Sequence, residues 1–349
     1  MRGLLLSAYA AASHQHWAEG IVEWLDEIGW TRLELPARHF PWRIRGNPLT
    51  WMLRESAALS RHYDVILATS MVDLATLVGL YPHLAGARKV VYFHENQFAY
   101  PASSAQGSRV GPQMVNLYTA LAADEVVFNT VYNRDSFIDG ARALLKRMPE
   151  NLPAYEPLEA LRRRARVVPV PIATSTGQGS TAGDLIVWNH RWEYDKNPES
   201  FFAALFQLAA RGVSFRVAVM GQRFGDWPAV FDEARERLGD RLVCWGPQTA
   251  AAYQDWLDRG AVVVSTSYHE FQGLAIMEAV RRGCVPLVPD RLCYPELYAA
   301  PFLYADDDQL VARLEAWLTS PGSRPHPPVT DDWTWPSLQS AYRQVLNGG

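Results

Sequence analysis

Short apolar runs alternate with longer amphipathic stretches along the whole chain. In the first half the runs fall at 3–7, 31–35, 64–68, 89–93, 125–128 and 166–170. Stretches with apolar residues at helical spacing lie between most of them, at 16–28, 51–61, 113–122 and 134–146. Runs this apolar read as strands covered on both faces, and strand–helix–strand order makes them parallel. The alternation pauses at 173–183, a small, polar, glycine-rich segment that reads as a linker. It restarts with runs at 184–188, 215–220, 242–245, 261–265 and 285–288. The pattern predicts two doubly wound α/β domains facing each other across a cleft. Their expected boundaries are 1–172 for the first and 184–330 for the second, with 331–349 as a terminal helix. The proline-rich stretch 321–328 should stop the last helix of the second domain. Beyond it, 333–346 has helical spacing and carries Trp333 and Trp335. A helix there either returns to the first domain, anchored by those aromatics, or packs on the second. The pattern alone leaves both open.

Composition agrees with this layout and narrows the partners. A chain of 349 residues with 48% hydrophobic content can fill two cores. A net charge of −4 gives no overall attraction to nucleic acid, so any RNA contact must come from a local patch. Cys244, Cys284 and Cys293 are odd in number and lack metal-type spacing, which reads as reduced thiols in a cytoplasmic protein. No run approaches the ~20 apolar residues of a membrane span. The opening Met1-Arg2-Gly3-Leu4-Leu5-Leu6 is too short for a signal peptide and reads as a first strand.

The chemistry concentrates where strands should end, which is where ligands of such sheets bind. In Glu270-Phe271-Gln272-Gly273-Leu274-Ala275-Ile276-Met277-Glu278, two carboxylates flank a predicted helix start. Free amides and the positive helix end suit a pyrophosphate there. Carboxylates would be repelled by it unless they reached hydroxyls on either side: a sugar for Glu270 and a ribose for Glu278. That describes a nucleotide-sugar site. Arg191 and Lys196, in the loop after the first strand of the second domain, are the cations expected to stabilise a departing diphosphate. Gly221, at the exit of the next strand, is a plausible point of close nucleotide approach.

In the first domain His94-Glu95-Asn96-Gln97 forms a polar cluster at a strand end. His94 could bind a hydroxyl or carry a proton near neutral pH. The loop Ala11-Ala12-Ser13-His14 is a second candidate for cleft contacts. Basic and aromatic residues interleave in Arg38-His39-Phe40-Pro41-Trp42-Arg43-Ile44-Arg45, with Arg54 beyond. Such a mixture can hold phosphates while stacking on bases. Arg162-Arg163-Arg164-Ala165-Arg166 reads instead as a solvated helix end.

Glu270-x7-Glu278 with Arg191 and Lys196 resembles the donor site of retaining glycosyltransferases of family four. The resemblance implies the GT-B fold of two Rossmann-like domains, a nucleotide-sugar donor and catalysis without a metal. A narrower resemblance lies in the first domain. Leu35-Pro36-Ala37, Trp42-Arg43, Tyr92-Phe93-His94-Glu95-Asn96-Gln97, Val126-Val127-Phe128-Asn129, Asn133 and Ser136-Phe137 are similar to the tRNA-queuosine alpha-mannosyltransferases. Where that family carries Gly-Gly before Ser-His, this chain has Ala11-Ala12. The resemblance implies transfer of mannose from GDP-mannose to queuosine in the anticodon of aspartate tRNA. It implies donor contacts from Ser13, Gly221, Phe271, Gln272, Gly273 and Glu278. It implies acceptor contacts from His14, Arg38, Trp42, Arg43, Arg45, Glu95, Asn96, Gln97 and Asn129, and catalytic roles for His94, Glu270, Arg191 and Lys196. A lipid or small-metabolite acceptor, or a module that binds tRNA or nucleotide without turnover, are the competing readings. The first usually shows a basic amphipathic helix on the first domain, and the segment 16–28 is acidic.

Overall fold

A computed structural model describes residues 1–100, 110–149, 155–177, 183–223 and 228–348. The chain opens with β1 (Arg2–Ala10), α1 (Ala12–Trp24), β2 (Gly29–Pro36), α2 (Phe40–Arg54), α3 (Ser56–Leu59) and β3 (Val65–Thr69). It continues with α4 (Leu74–Leu80), β4 (Arg88–Phe93), α5 (Val110–Ala122), β5 (Glu125–Phe128), α6 (Val131–Lys146), α7 (Tyr155–Arg164) and β6 (Arg166–Val167). A second series follows: β7 (Leu185–Trp188), α8 (Pro198–Ala210), β8 (Arg216–Met220), α9 (Val230–Leu238), β9 (Leu242–Gly246), α10 (Ala250–Arg259) and β10 (Val262–Val264). The chain ends with α11 (Leu274–Arg281), β11 (Val285–Pro289), α12 (Tyr294–Leu297), β12 (Leu303–Tyr304), α13 (Asp307–Thr319) and α14 (Trp335–Asn347). Two compact units result, Met1–Pro171 with Trp335–Gly349, and Ile172–Thr334.

The first unit is a parallel sheet in the order β2-β1-β3-β4-β5-β6. Its central strands are buried on both faces, so their side chains are apolar at consecutive positions rather than alternate ones. The segment 51–61, expected as one helix, is instead the end of α2 followed by the short α3. Two prolines hide the true start of α2. Pro41 occupies the first turn, where a missing N–H costs nothing. Pro48 cannot donate to the Ile44 carbonyl, and the side-chain amide of Asn47 donates to that oxygen instead (3.3 Å).

Helix α14 belongs to the first unit, which settles the alternative left by the sequence. Trp335 stacks parallel to Trp24, and it lies over Gly20, where an added Cβ would come within 2.4 Å of the indole. Trp17 Nε1 donates to Tyr342 Oη (3.0 Å), and Arg88 donates to the Val345 carbonyl.

The second unit is a parallel sheet in the order β12-β11-β10-β7-β8-β9. The segments by which the chain enters and leaves it pair at Ile172 and Thr334, with Ile172 N donating to Trp333 O (2.8 Å). Of the expected linker, 178–182 lies outside the described residues. The preceding part is held to α11 by Arg281, which donates to the Thr174 carbonyl. Helix α13 ends before the proline-rich stretch. Three of the four arginines in the run 162–166 are paired locally: Arg162 with Asp139, Arg163 with Glu156 and Arg166 with Glu125.

Candidate active site

In the second unit the strand order reverses between β7 and β10. The loops leaving those two strands therefore splay apart at their carboxyl ends and leave a crevice, the usual ligand position in such sheets. The loop after β7 carries Arg191 and Lys196, and the loop after β10 carries Glu270. Several bonds stitch the two loops together. Thr266 Oγ1 donates to the carbonyls of Lys196 (2.9 Å) and Asn197 (2.8 Å), and Tyr268 N donates to Asp195 O (2.8 Å). Asn197 sits in the left-handed region (φ 50°), and its side chain accepts from Ser200 N to cap α8.

These ties bring Lys196 and Glu270 together. Lys196 Nζ donates to the His269 carbonyl (2.8 Å) and to Glu270 Oε2 (3.2 Å), and lies 3.3 Å from Asp195 Oδ2. Burial alone would raise the Glu270 carboxyl, but the adjacent ammonium holds it down to about 2. Burial likewise opposes ionisation of Asp195, yet a hydrogen bond from His269 and the charge of Lys196 hold it well below the usual carboxylate range. The reverse holds for Lys196: burial would lower it, and Glu270 and Asp195 push it up. All three groups are ionised near neutrality, one ammonium between two carboxylates.

Helix α11 starts after Gly273, as expected. Gly273 is left-handed (φ 73°), and an added Cβ would lie 3.0 Å from the Tyr294 ring. It offers no side chain to cap the first amides of α11. Glu278 stands farther along that helix, apart from the Lys196 group. It accepts from Tyr253 Oη (3.0 Å), which accepts from Asn189 Nδ2 (2.9 Å), which also donates to the Ala275 carbonyl (2.7 Å). Arg191 is half-exposed and pairs with Glu193 (3.1 Å), while its charge reaches Lys196 and Asp195. Phe271 and Gln272 are buried, so a donor would meet the backbone of that loop rather than these side chains.

Gly221 has another explanation than the one expected. Its φ is 146°, and an added Cβ would stand 1.9 Å from the His190 carbonyl oxygen. The close approach that demands glycine is made by the protein itself. Sequence reasoning also missed Asp195, Tyr253 and His190, whose imidazole is driven down to about 4 by burial and by Lys196. Asp195 was readable as a neighbour of Lys196. Tyr253 carries no local signal, because it meets Glu278 only through the packing of α10.

In the first unit the order reverses between β1 and β3. His94 leaves β4 beside that reversal. Its ring stacks on His14 at 4.2 Å between centroids and meets Trp17 edge-on at 4.6 Å. Among the described residues neither ring nitrogen of His94 has a hydrogen-bond partner. Burial, then the neighbouring His14, pushes its pKa well below the ordinary histidine value, and burial lowers His14 too. Of the two roles expected of His94, its burial as a neutral ring suits binding a hydroxyl better than carrying a proton.

Asn96 and Asn129 are also corrected. Asn96 is fully buried; its amide donates to Asn133 and Ser136, and its oxygen accepts from the backbone of Phe98 and Ala99. Asn129 Nδ2 donates to the His94 carbonyl (2.9 Å), and its oxygen accepts from Asn133 Nδ2 (2.8 Å). Asn96 spends its polar groups shaping the loop, and Asn129, buried, turns its amide to the same loop rather than to an acceptor. Gln97 is buried beside Met71. Glu95 is half-buried, and its carboxylate has no partner among the described residues. Ser13 is exposed in the first turn of α1, and Arg38, Trp42 and Arg45 are exposed near the start of α2.

The chain is similar over its full length to solved glycosyltransferases. Sucrose-phosphate synthase from Thermosynechococcus elongatus superposes with a TM-score of 0.72 at 13% identity, covering 100% of both chains. Anabaena HepE, solved in complex with UDP and glucose, superposes at 0.64 with 14% identity, covering 99% of this chain and 95% of that one. At such identities the likeness speaks for the fold, which is GT-B, and with the relatives below the protein is a glycosyltransferase. A family model described as the tRNA-queuosine alpha-mannosyltransferase N-terminal region matches residues 2–172. The tRNA-queuosine alpha-mannosyltransferase of Drosophila melanogaster is 34% identical over 324 residues, spanning 89% of this chain and 85% of that protein. The chain belongs to the tRNA-queuosine alpha-mannosyltransferase family. No described helix is long and apolar enough to cross a membrane.

Proposed function

We propose that this protein transfers mannose from GDP-mannose to queuosine in the anticodon of aspartate tRNA, with retention at the anomeric carbon and without a metal ion. The reading rests on the buried Lys196–Glu270 pair at the sheet reversal of the second unit. Lys196 has three N–H donors: two go to the His269 carbonyl and Glu270, and Asp195 Oδ2 stands 3.3 Å away without accepting a hydrogen bond from it. A diphosphate at this ammonium competes with the two carboxylates for its charge. Glu270 is the partner to yield, since its side chain is 20% exposed against 6% for Asp195. The exchange gives each group the role its chemistry suits. Lys196 meets the charge that develops on the leaving diphosphate, and the freed Glu270 accepts from the hydroxyls of the hexose. The amides after Gly273, which carry no side-chain cap, and the half-exposed charge of Arg191 complete the anion site, which needs no metal. Glu278, held by Tyr253, accepts from the ribose. His94, neutral and with open ring nitrogens, hydrogen-bonds to sugar or acceptor.

Mass spectrometry of tRNA nucleosides from cells with and without this protein tests the reading. A hexose-sized gain on queuosine that disappears with the protein is expected. Unchanged queuosine, or a gain on another nucleoside, contradicts it.

A further inference from the structure

Arg43 is 8% exposed, yet its side chain makes no hydrogen bond or ion pair among the described residues, and its Nε is buried without a partner. Buried guanidinium groups normally find acceptors. Arg324, equally buried, does so by donating to the carbonyls of Trp317 (2.7 Å) and Gly183 (3.1 Å). Arg43 lies in the first turn of α2, whose position is fixed. Asn47, one turn on, donates to Met71 O (3.1 Å) and accepts from Asp73 N (3.2 Å), both in the loop after β3. Phe40 meets Tyr9 at the end of β1. The turn thus stands at the sheet reversal of the first unit. Asp73 does not answer the charge, since it is taken by the Thr76 amide and by Arg45 (3.4 Å).

We infer that Arg43 binds a backbone phosphate of the RNA acceptor, and that Trp42 stacks on a base of the same strand. The inference rests on the tRNA reading above and gives two of the acceptor contacts expected from the sequence their chemistry, a phosphate for Arg43 and a base face for Trp42. Local charge favours a polyanion: Arg38 to Arg54 holds four arginines and no acidic residue, in a chain of net charge −4. Trp42 is 59% exposed, with its indole laid along the helix at Gly46. An exposed ring beside a fixed cation suits an unpaired nucleotide of a loop, because every base has a face to stack. Leaving the guanidinium without an internal acid costs stability in the free protein, and the phosphate recovers it on binding.

The test measures binding of queuosine-containing tRNA by the full chain across a salt series, for wild type, Arg43→Gln and Trp42→Ala, alongside melting temperatures and steady-state kinetics. Arg43→Gln should weaken binding about tenfold or more. It should flatten the slope of log affinity against log salt by about 0.7, one single-strand phosphate contact. Its melting temperature should hold or rise, because an uncompensated charge has been removed. Trp42→Ala should weaken binding with the slope unchanged, and the KM for the sugar donor should stay at the wild-type value in both. The inference is overturned if Arg43→Gln leaves affinity and slope unchanged, lowers the melting temperature, or shifts only the donor KM. It is equally overturned if these variants lose binding to phosphatidylserine vesicles while keeping tRNA. The reaction itself is judged separately: wild type that binds tRNA but moves no hexose to queuosine contradicts the function, not this contact.

Discussion

At the sheet reversal of the second unit, one ammonium faces two carboxylates. At that of the first, two stacked imidazoles stay neutral and an arginine has no acid partner among the described residues. The same architecture has been filled in opposite ways. The second unit holds its charges against one another, so a donor enters by an exchange of partners within a set already in place, and the exchange is complete before charge develops. Among the described residues both sites keep buried polar atoms without a hydrogen-bond partner, His94 Nδ1 and Nε2 and Arg43 Nε in the first and His190 Nε2 and Asn189 Oδ1 in the second. What separates them is charge: the buried cation of the second site has acids of its own, and that of the first leaves its guanidinium for a partner from outside.

Removing a cation from each unit should therefore have opposite effects on stability. The largest expected effect is that of Lys196→Ala, which strands Asp195 and Glu270 in a buried setting without a counter-charge. Breaking such a pair from one side costs on the order of 3–5 kcal/mol. Thermal or denaturant unfolding should show a clear loss, while Arg43→Gln shows none. Equal losses in the two variants would erase the contrast.

A smaller effect is expected from pH. The pKa of His190 falls from 6.5 to about 4. Between those values the unfolded chain binds a proton that the folded chain does not. The contribution is therefore complete above 6.5 and is lost as pH falls to about 4, amounting to about 3 kcal/mol at most. His14 and His94 act in the same direction in the first unit. Glu270 adds a second acid step: its share is present above the usual carboxylate range and disappears as pH falls toward about 2. His190→Gln should lose its part of the first step and keep the second. Stability of the wild type that is flat from pH 6.5 to 4.5 would contradict the neutral burial of these histidines.

Much of this was legible in the chain because buried parallel strands must be apolar at every position, and such runs stand out. The strand β12 did not, since two residues carry no period. Helix α2 was obscured by Pro48, whose cost is offset by a side chain that no propensity registers, Asn47. The donor loop was readable because Glu270, Gly273 and Lys196 sit at strand ends, where chemistry has little competing structural use. The cluster after β4 misled for the opposite reason. There the tight turn needs acceptors and donors of its own, and Asn96 and Asn129 supply them. Polar residues at a strand end bind ligands only when the loop does not consume them first, and that depends on contacts distant in sequence, such as Asn96 with Asn133.

The central claim is that Lys196 and Glu270 exchange each other for the diphosphate and the hexose of the donor. Turnover of purified protein with GDP-mannose and queuosine-containing aspartate tRNA, followed by nucleoside mass spectrometry under saturating donor, tests it most directly. The account predicts hexosylated queuosine from wild type and a rate at least about 100-fold lower for Lys196→Ala, the size of loss expected when a group that meets transition-state charge is removed. Wild-type turnover by Lys196→Ala would contradict it.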